Sequence, residues 1–494
     1  MGILLPRWRR CLAAGLALSA VCLAASAQKG YEIEVEIDGF SGSEAYLANY
    51  FMDKQYIVDT SAVDKGRVVF RGDEKLAEGT YLLVLPPDND YTLVQIDGDQ
   101  HFKLRTTAGL LTADMKVKGS VENELFYDYL HFIAAMRPVA DSLRAIQADS
   151  SLPAATREVA RAEGERVDGL VRERQESILS DHANTITASV IRSMREPEMP
   201  EFAGDEEEVQ RQRYLHYKRH YFDNVDLGDP RALRSSYLDQ RVGYYLDKLV
   251  VPVPDSINRE LDFLLDRMRP SDETFRFYLS KFFNEYAASK VVGMDAVYAH
   301  LGEKYYMSGE AHWVDSTTLA KIADNVTRLK PLLIGQRAPG IKVQARDKQA
   351  IDLDAIDSDY TVLFFFDPEC GHCQKQTPHV VDFARDYKDK GVAVVSVCSK
   401  FAPDQDSCWS YVDSKEGMAE NLYNGVDPYH RSKYKIKYDI KSFPQIYVLD
   451  RDKTILSKRI GAEQLPEVLD RIIAMRDERD AGGAGGDPPA SRSR

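Results

Sequence analysis

Residues 31–38, YEIEVEID, alternate strictly, with Tyr31, Ile33, Val35 and Ile37 on one face and four acids on the other. That period of two predicts a half-buried strand. Short runs of the same kind follow: AYLANYF, YIVDTSAV, RVVFRG, TYLLVL, TLVQID, HFKLRTT and MKVKGS. Turn signals such as Asp64-Lys65-Gly66 and Asp97-Gly98 separate them. Strands at this spacing predict a small antiparallel sandwich or barrel over residues 28–120.

After Ser120 the period becomes helical. Phe126, Tyr129, Leu130 and Ile133 share a face, and a charged helical stretch runs from Ala154 to Leu179 behind Pro153. EPEMPEFAGDEEE (196–208) breaks the pattern and reads as an exposed loop. SSYLDQRVGYYLDKLV, DSINRELDFLLDRM and DETFRFYLSKFFNEYAASKV then predict further helices, giving an all-α domain over 121–332. Its aromatic stripes read as core, because aromatics at helical spacing usually pack inward.

A third pattern starts near Leu333. APGIKVQARDKQAIDL reads as a lead-in hairpin. YTVLFFF (360–366) is apolar throughout, as a strand buried on both faces must be. VAVVSVCS is a second such strand, and SFPQIYVLD with TILSKRI reads as an antiparallel pair. Leu465, Val468, Leu469, Ile472 and Ile473 form the apolar face of a closing helix. The order β-α-β-α-β-β-α over 333–476 predicts a mixed sheet with helices on both faces. The tail 477–494, rich in Gly, Pro and Ser, reads as disordered.

The 494 residues are enough for about two to four domains. Arg7, Arg9 and Arg10, the apolar run Cys11 to Ala24 and the small residues Ala25-Ser26-Ala27 make residues 1–27 a cleavable signal peptide. Val21 before Cys22 suits a lipoprotein signal poorly, so a cleaved product of the periplasm or cell envelope is expected. The net charge of −14 becomes more negative once three arginines and no acids are removed. Such a chain is unsuited to sequence-independent binding of nucleic acid.

Four of the six cysteines survive cleavage, Cys370, Cys373, Cys398 and Cys408, all in the last third. The segment FFFDPECGHCQKQTP puts Cys370 where a buried strand turns into a helix. Free N–H groups and the helix dipole favour a thiolate there, but the dipole supplies only roughly 0.3–1 kcal/mol. At about 1.36 kcal/mol per pKa unit that is a modest shift. A protonated His372 and a hydrogen bond from the Cys373 thiol would add to it, and Glu369 would oppose it. The spacing suits an exchange in which Cys370 forms a mixed disulfide and Cys373 resolves it.

The competing chemistries fit less well. Haem attachment needs His where Gln374 stands. A zinc site needs a second tight pair, which Cys398 and Cys408, ten residues apart, do not offer, so no metal is expected. A thiol peroxidase carries Thr or Ser where Asp367 stands. An inert disulfide closing so short a loop would constrain little of the unfolded chain.

The segment resembles the active site of the thioredoxin superfamily. Cys-Gly-His-Cys, with Gly371 and His372 between the sulfurs, resembles that of protein disulfide isomerase, and Pro378 matches the family's helix-kinking proline. Phe443-Pro444 resembles the cis-proline segment that shapes the substrate groove. Ile334-Gly335 with Ala338-Pro339, and the arrangement of the whole chain, are similar to multidomain TlpA/ResA-like proteins of the Bacteroidetes.

The resemblance implies an α/β thioredoxin fold at the C-terminus, preceded by an antiparallel β domain and an all-α helical domain. It implies a thiol–disulfide oxidoreductase with no bound cofactor. Its partners would be cysteine-containing envelope proteins and a dithiol electron donor, membrane-bound where the direction is reductive. Direction stays open: the TlpA/ResA likeness implies a reductase, the Gly-His pair an isomerase or oxidase. A further reading keeps the chain as an envelope binding protein whose last domain is structural.

Three positions depart from the family pattern. Glu369 replaces an aromatic, Phe364 replaces thioredoxin's buried acid, and Gln376 replaces the acid of ResA-like proteins, which leaves Asp367 to stand in as proton acceptor for Cys373. Cys398 and Cys408 form either a second local disulfide or two buried thiols.

Overall fold

The structure, a computed structural model, describes residues 29–482 except 53, 236, 416 and 417. The expected signal peptide and the last twelve residues of the expected tail lie outside the described residues. The chain divides into two compact units: one runs up to Arg195 and includes Arg231–Tyr237, the other holds Glu196–Pro230 and the chain from Leu238 onward.

The first unit opens with eight strands: β1 (Tyr31–Asp38), β2 (Glu44–Phe51), β3 (Lys54–Ala62), β4 (Arg67–Gly72), β5 (Gly79–Leu85), β6 (Asp90–Ile96), β7 (His101–Thr107) and β8 (Lys116–Lys118). They form two four-stranded sheets, ordered β4-β1-β7-β8 and β3-β2-β5-β6. Pairing is antiparallel except between β1 and β7, which run parallel. The alternation in β1 sends Ile33, Val35 and Ile37 into a core shared with Leu47, Phe70, Leu83 and Leu104.

Three helices follow, α1 (Val121–Ala148), α2 (Ala154–Asp181) and α3 (Ile186–Ser193). They belong to the first unit, so the helical region expected over 121–332 is shared between the two units. The reason lies at the start of α1. Phe126 and Tyr127 enter the core of the β sheets, the Tyr127 hydroxyl donates to the Leu93 carbonyl at 2.5 Å, and Asn123 bonds both backbone groups of Gln95. The buried Glu122 carboxylate accepts from the first N–H groups of α3, Ile186 and Thr187, at 2.8 and 2.9 Å. These are donors that a helix end otherwise leaves unpaired.

In the second unit α4 (Glu206–His220) begins inside the stretch expected as loop (196–208), because Asp205 caps it and three glutamates favour its N-terminus. Beyond α5 (Tyr237–Tyr244) come α6 (Pro254–Met268), α7 (Asp272–Ala288), α8 (Asp295–Leu301) and α9 (Ser316–Leu329). The aromatics Tyr278, Phe282 and Tyr305 are buried.

The rest is a seven-stranded mixed sheet. Its strands are β9 (Lys342–Gln344), β10 (Ala350–Asp352), β11 (Tyr360–Phe366), β12 (Val392–Cys398), β13 (Leu422–Val426), β14 (Gln445–Asp450) and β15 (Ile455–Lys458), in the order β10-β9-β13-β12-β11-β14-β15. Between them lie α10 (Gly371–Asp386), α11 (Asp406–Asp413) and α12 (Tyr434–Lys437), and α13 (Leu465–Gly482) closes the domain, running into the segment expected as tail. Strands β11, β12 and β13 are parallel, and β14 is antiparallel to β11.

Strand β13 and helix α12 are absent from the order expected over 333–476. The sequence of β13, LYNGV, carries an Asn-Gly turn signal and only partial burial, so its pairing with β12 overrides its local preference. In β11, Val362, Phe364 and Phe366 pack toward α10 and α13, while Leu363 and Phe365 pack toward Tyr434 and Tyr438. Among the described residues no helix is long and apolar enough to cross a membrane.

Candidate active site

Strand β11 ends at Phe366, and Asp367-Pro368-Glu369 turns the chain into α10. Cys370 is the N-cap of that helix, and its N–H returns to the Asp367 carbonyl at 3.1 Å. Its sulfur is partly exposed and lies 3.6 Å from the Phe443 carbonyl oxygen. A Cβ on Gly371 would meet nothing within 4 Å, so the approach to Cys370 from that side is open. Cys373, one turn into the helix, is 0 % exposed.

The two sulfurs titrate in opposite directions. The Cys370 pKa is lowered, first by the N–H of Cys373, then by the Cys373 thiol and the N–H of His372, against partial burial and the Asp367 charge. Burial pushes Cys373 up to about 12, although its sulfur accepts the Asp367 N–H at 3.4 Å. His372 thus acts on Cys370 through its backbone, and its side chain is exposed.

The expected opposition from Glu369 is taken by Asp367 instead, because Glu369 is bound by Lys400 at 2.9 Å. Burial raises the Asp367 pKa, but the Ser399 hydroxyl, the Glu369 N–H and Lys400 together hold it below the ordinary value. An acid kept ionised by three partners is a weak proton acceptor, which counts against the role expected for Asp367 toward Cys373. The Ser399 hydroxyl donates to Asp367 at 2.5 Å and Lys400 stands 3.4 Å from it.

Ser399 and Lys400 follow Cys398, the last residue of β12. Cys398 is bonded to Cys408 of α11, S–S 2.02 Å, which closes the loop carrying both residues. Of the two alternatives the sequence left open, the structure has the disulfide.

Phe443-Pro444 is a cis peptide bond. Lys435 stands over the Phe443 ring at 5.7 Å and donates to the Ser399 carbonyl at 3.3 Å. Among the described residues no group of three or more His, Cys, Asp or Glu is placed to hold a metal ion.

Family models match all three regions of the chain. Residues 31–126 and 171–330 match two domains of unknown function, DUF4369 and DUF5106, and residues 334–457 match the AhpC/TSA family. No curated protein matches the chain. A domain of a possible thiol-disulfide isomerase from Cytophaga hutchinsonii is 33 % identical over 30 % of this chain and 98 % of its own, TM-score 0.28. Residues 334–457 thus form a thioredoxin-like domain. A thioredoxin-like protein from Bacteroides caccae is 20 % identical over 56 % of this chain and 97 % of its own, TM-score 0.41. A putative thiol:disulfide interchange protein DsbE from Chlorobium tepidum is 21 % identical over 28 % and 94 %, TM-score 0.24.

Within the thioredoxin domain the departures have structural reasons. Phe364 is buried and stacks on Phe366 with ring centroids 5.4 Å apart, so an apolar layer occupies the place of the acid. Gln376 reaches away from the sulfurs, accepting from the Ala462 N–H at 2.5 Å and donating to Glu463 at 2.8 Å. Its side chain ties α10 to the start of the closing helix.

The residues that sequence reasoning missed are Ser399 and Lys400, which follow β12, Lys435 of α12, and Thr377, whose hydroxyl donates to the Cys373 carbonyl at 2.8 Å and accepts from Tyr411 at 2.9 Å. Only Ser399-Lys400 had a signal, their position directly after a buried strand that ends in cysteine.

Proposed function

We propose that this protein is an exported thiol–disulfide oxidoreductase that exchanges disulfides with cysteine-containing proteins of the cell envelope. The observation that carries the reading is the asymmetry of its two free sulfurs. Cys370 is reachable with a lowered pKa, whereas Cys373 is sealed with a pKa near 12. A thiolate is the nucleophile in exchange, so one sulfur is prepared to attack and the other to wait.

The Cys370 thiolate attacks a substrate disulfide, forms a bond to one sulfur and releases the other as a thiolate. Cys373 then loses its proton and attacks Cys370. A Cys370–Cys373 disulfide forms and the second substrate sulfur leaves as a thiol. The substrate gains two electrons and the pair is oxidised; run backwards, the same steps oxidise a substrate dithiol. The Asp367 N–H is placed to stabilise the Cys373 thiolate as it develops. The Phe443 carbonyl beside Cys370 supports docking of an extended substrate backbone at that edge.

The reductive direction is favoured by the TlpA-like resemblance, with a dithiol donor at the membrane returning the electrons. The N-terminal signal pattern and the Cys398–Cys408 disulfide support an oxidising, extracytoplasmic compartment.

The test is insulin reduction coupled to a dithiol. Wild type is expected to be active and Cys370→Ser inactive, and equal rates would overturn the reading. Equilibration of the pair against glutathione fixes the direction: about −270 mV or lower suits a reductase, about −180 mV or above an isomerase or oxidase.

A further inference from the structure

The chain carries a formal charge of −14, yet the surface beside Cys370 is built differently. Strands β11, β12 and β13 are parallel neighbours, so the segments leaving their C-terminal ends form one rim. Ligands of open α/β sheets bind at such rims. The first segment presents Cys370, the second Lys400 and Phe401, the third Tyr429 through Lys437.

Pro428 to Tyr438, PYHRSKYKIKY, contains four cations, Arg431, Lys433, Lys435 and Lys437, and no acid. Tyr434 and Tyr438 anchor it in the core, and Tyr429 and Ile436 remain 64 % and 67 % exposed between the charges. The segment is rigidly held. Asp427, buried beneath it, accepts from the Arg431 and Ser432 N–H groups, each at 2.9 Å. Phe401, 43 % exposed, packs on His430 with ring centroids 4.7 Å apart. Lys435 joins this segment to the Phe443 ring at 5.7 Å, and the Phe443 carbonyl touches Cys370.

The acids nearby are largely engaged. Asp367 and Glu369 are paired with Lys400, and Asp439 with Lys441. Asp404 and Asp406 stand further along the second segment, toward α11.

We propose that this rim selects the redox partner, and that the partner is a polypeptide whose reactive cysteine is flanked by acidic and apolar residues. The inference rests on Cys370 being an exchanging thiol. Opposite charge raises the encounter rate of a site with its partner, and the exposed Tyr429, Phe401 and Ile436 offer apolar contact once it arrives. An acidic protein with a cationic rim orients such a partner while its remaining surface repels it. The rim therefore supplies direction of approach as well as affinity.

The test uses the full reduced chain and two synthetic peptides. Each carries one cysteine as a mixed disulfide with thionitrobenzoate, flanked by leucines and then by either glutamates or lysines. Attack by the Cys370 thiolate forms the protein–peptide disulfide and expels the coloured thionitrobenzoate anion, so the first step is read directly. The acidic peptide is expected to react ~10-fold faster at low ionic strength. That advantage should shrink as salt rises, since screening acts on exposed charges.

The double variant Arg431→Glu/Lys433→Glu is expected to bring the two rates together or invert them. Equal rates in the wild type, or a faster lysine peptide, would overturn the inference while leaving the exchange reaction intact. A preference that survives in the double variant would overturn it as well. Failure to react with either peptide and with the neutral hydroxyethyl disulfide would instead overturn the oxidoreductase reading on which it rests.

Discussion

Lys400 binds the Glu369 carboxylate at 2.9 Å and stands 3.4 Å from Asp367, so one ammonium is shared between the two acids that flank the turn into the reactive cysteine and offsets part of their charge. The Asp367 charge raises the Cys370 pKa, and Lys400 is the cation placed to offset it. Lys400→Met is expected to move the Cys370 titration to higher pH and to slow alkylation by iodoacetamide at neutral pH by a few-fold. Thiolate absorbance against pH checks it. An unchanged profile would mean that solvent already screens both acids.

The two thiols make opposite contributions to the stability of the reduced protein. Cys370 loses its proton more readily folded than unfolded. Its contribution is therefore present above the ordinary value of 9.0 and is lost as pH falls through the lowered folded value. Cys373 is the reverse. Its contribution is present below 9.0 and is lost as pH rises toward about 12, because the unfolded chain ionises first. The stability of reduced wild type, measured against Cys370→Ser/Cys373→Ser by urea unfolding, should rise toward about pH 9 and fall beyond it. A monotonic difference over that range would contradict the opposed shifts.

The Cys398–Cys408 bridge closes a ten-residue separation. A loop of that length is worth about 2–3 kcal/mol in the chain-entropy account. Cys398→Ala/Cys408→Ala should lose roughly that much in denaturant unfolding of the thioredoxin domain. It should also free Ser399 and Lys400 from Asp367, which would appear as faster tryptic cleavage after Lys400 and as a shifted Cys370 titration. Loss of stability without either sign would limit the bridge to a structural role.

Lys458, at the end of the edge strand β15, is 2 % exposed. It reaches the Asp295 carboxylate of α8 and the Leu332 carbonyl, each at 2.5 Å. Burial lowers its pKa, and Asp295 works in the other direction. Lys458→Met leaves the acid without its cation and should cost about 3–5 kcal/mol, most of it recovered in Lys458→Met/Asp295→Leu. A double-mutant cycle in urea checks the coupling. Additive losses would show that the pair is not a latch between α8 and the sheet.

Element type was legible wherever burial is one-sided or complete. The alternation of YEIEVEID and the unbroken apolar run of YTVLFFF each carry their own period, and both are strands in the fold. Strand β13 was not legible, because Asn424-Gly425 favours a turn and only the neighbouring β12 makes it a strand. Cys370 and Cys373 could be read because the chemistry of that pair depends on residues within one helical turn.

The partners of the pair depend on distance through space. Lys400 reaches the acids from the segment after β12, Phe443 reaches Cys370 from the segment before β14 on the other side of β11, and Gln376 turns away to Ala462 and Glu463. The sequence by itself determined the strands with a clear period, the position of the two sulfurs and the apolar character of the sheet around them. Only the tertiary structure decided which carboxylate opposes the thiolate, which cation offsets it and which basic segment borders the site. Coulomb energies and burial depend on separations that periodicity along the chain does not encode.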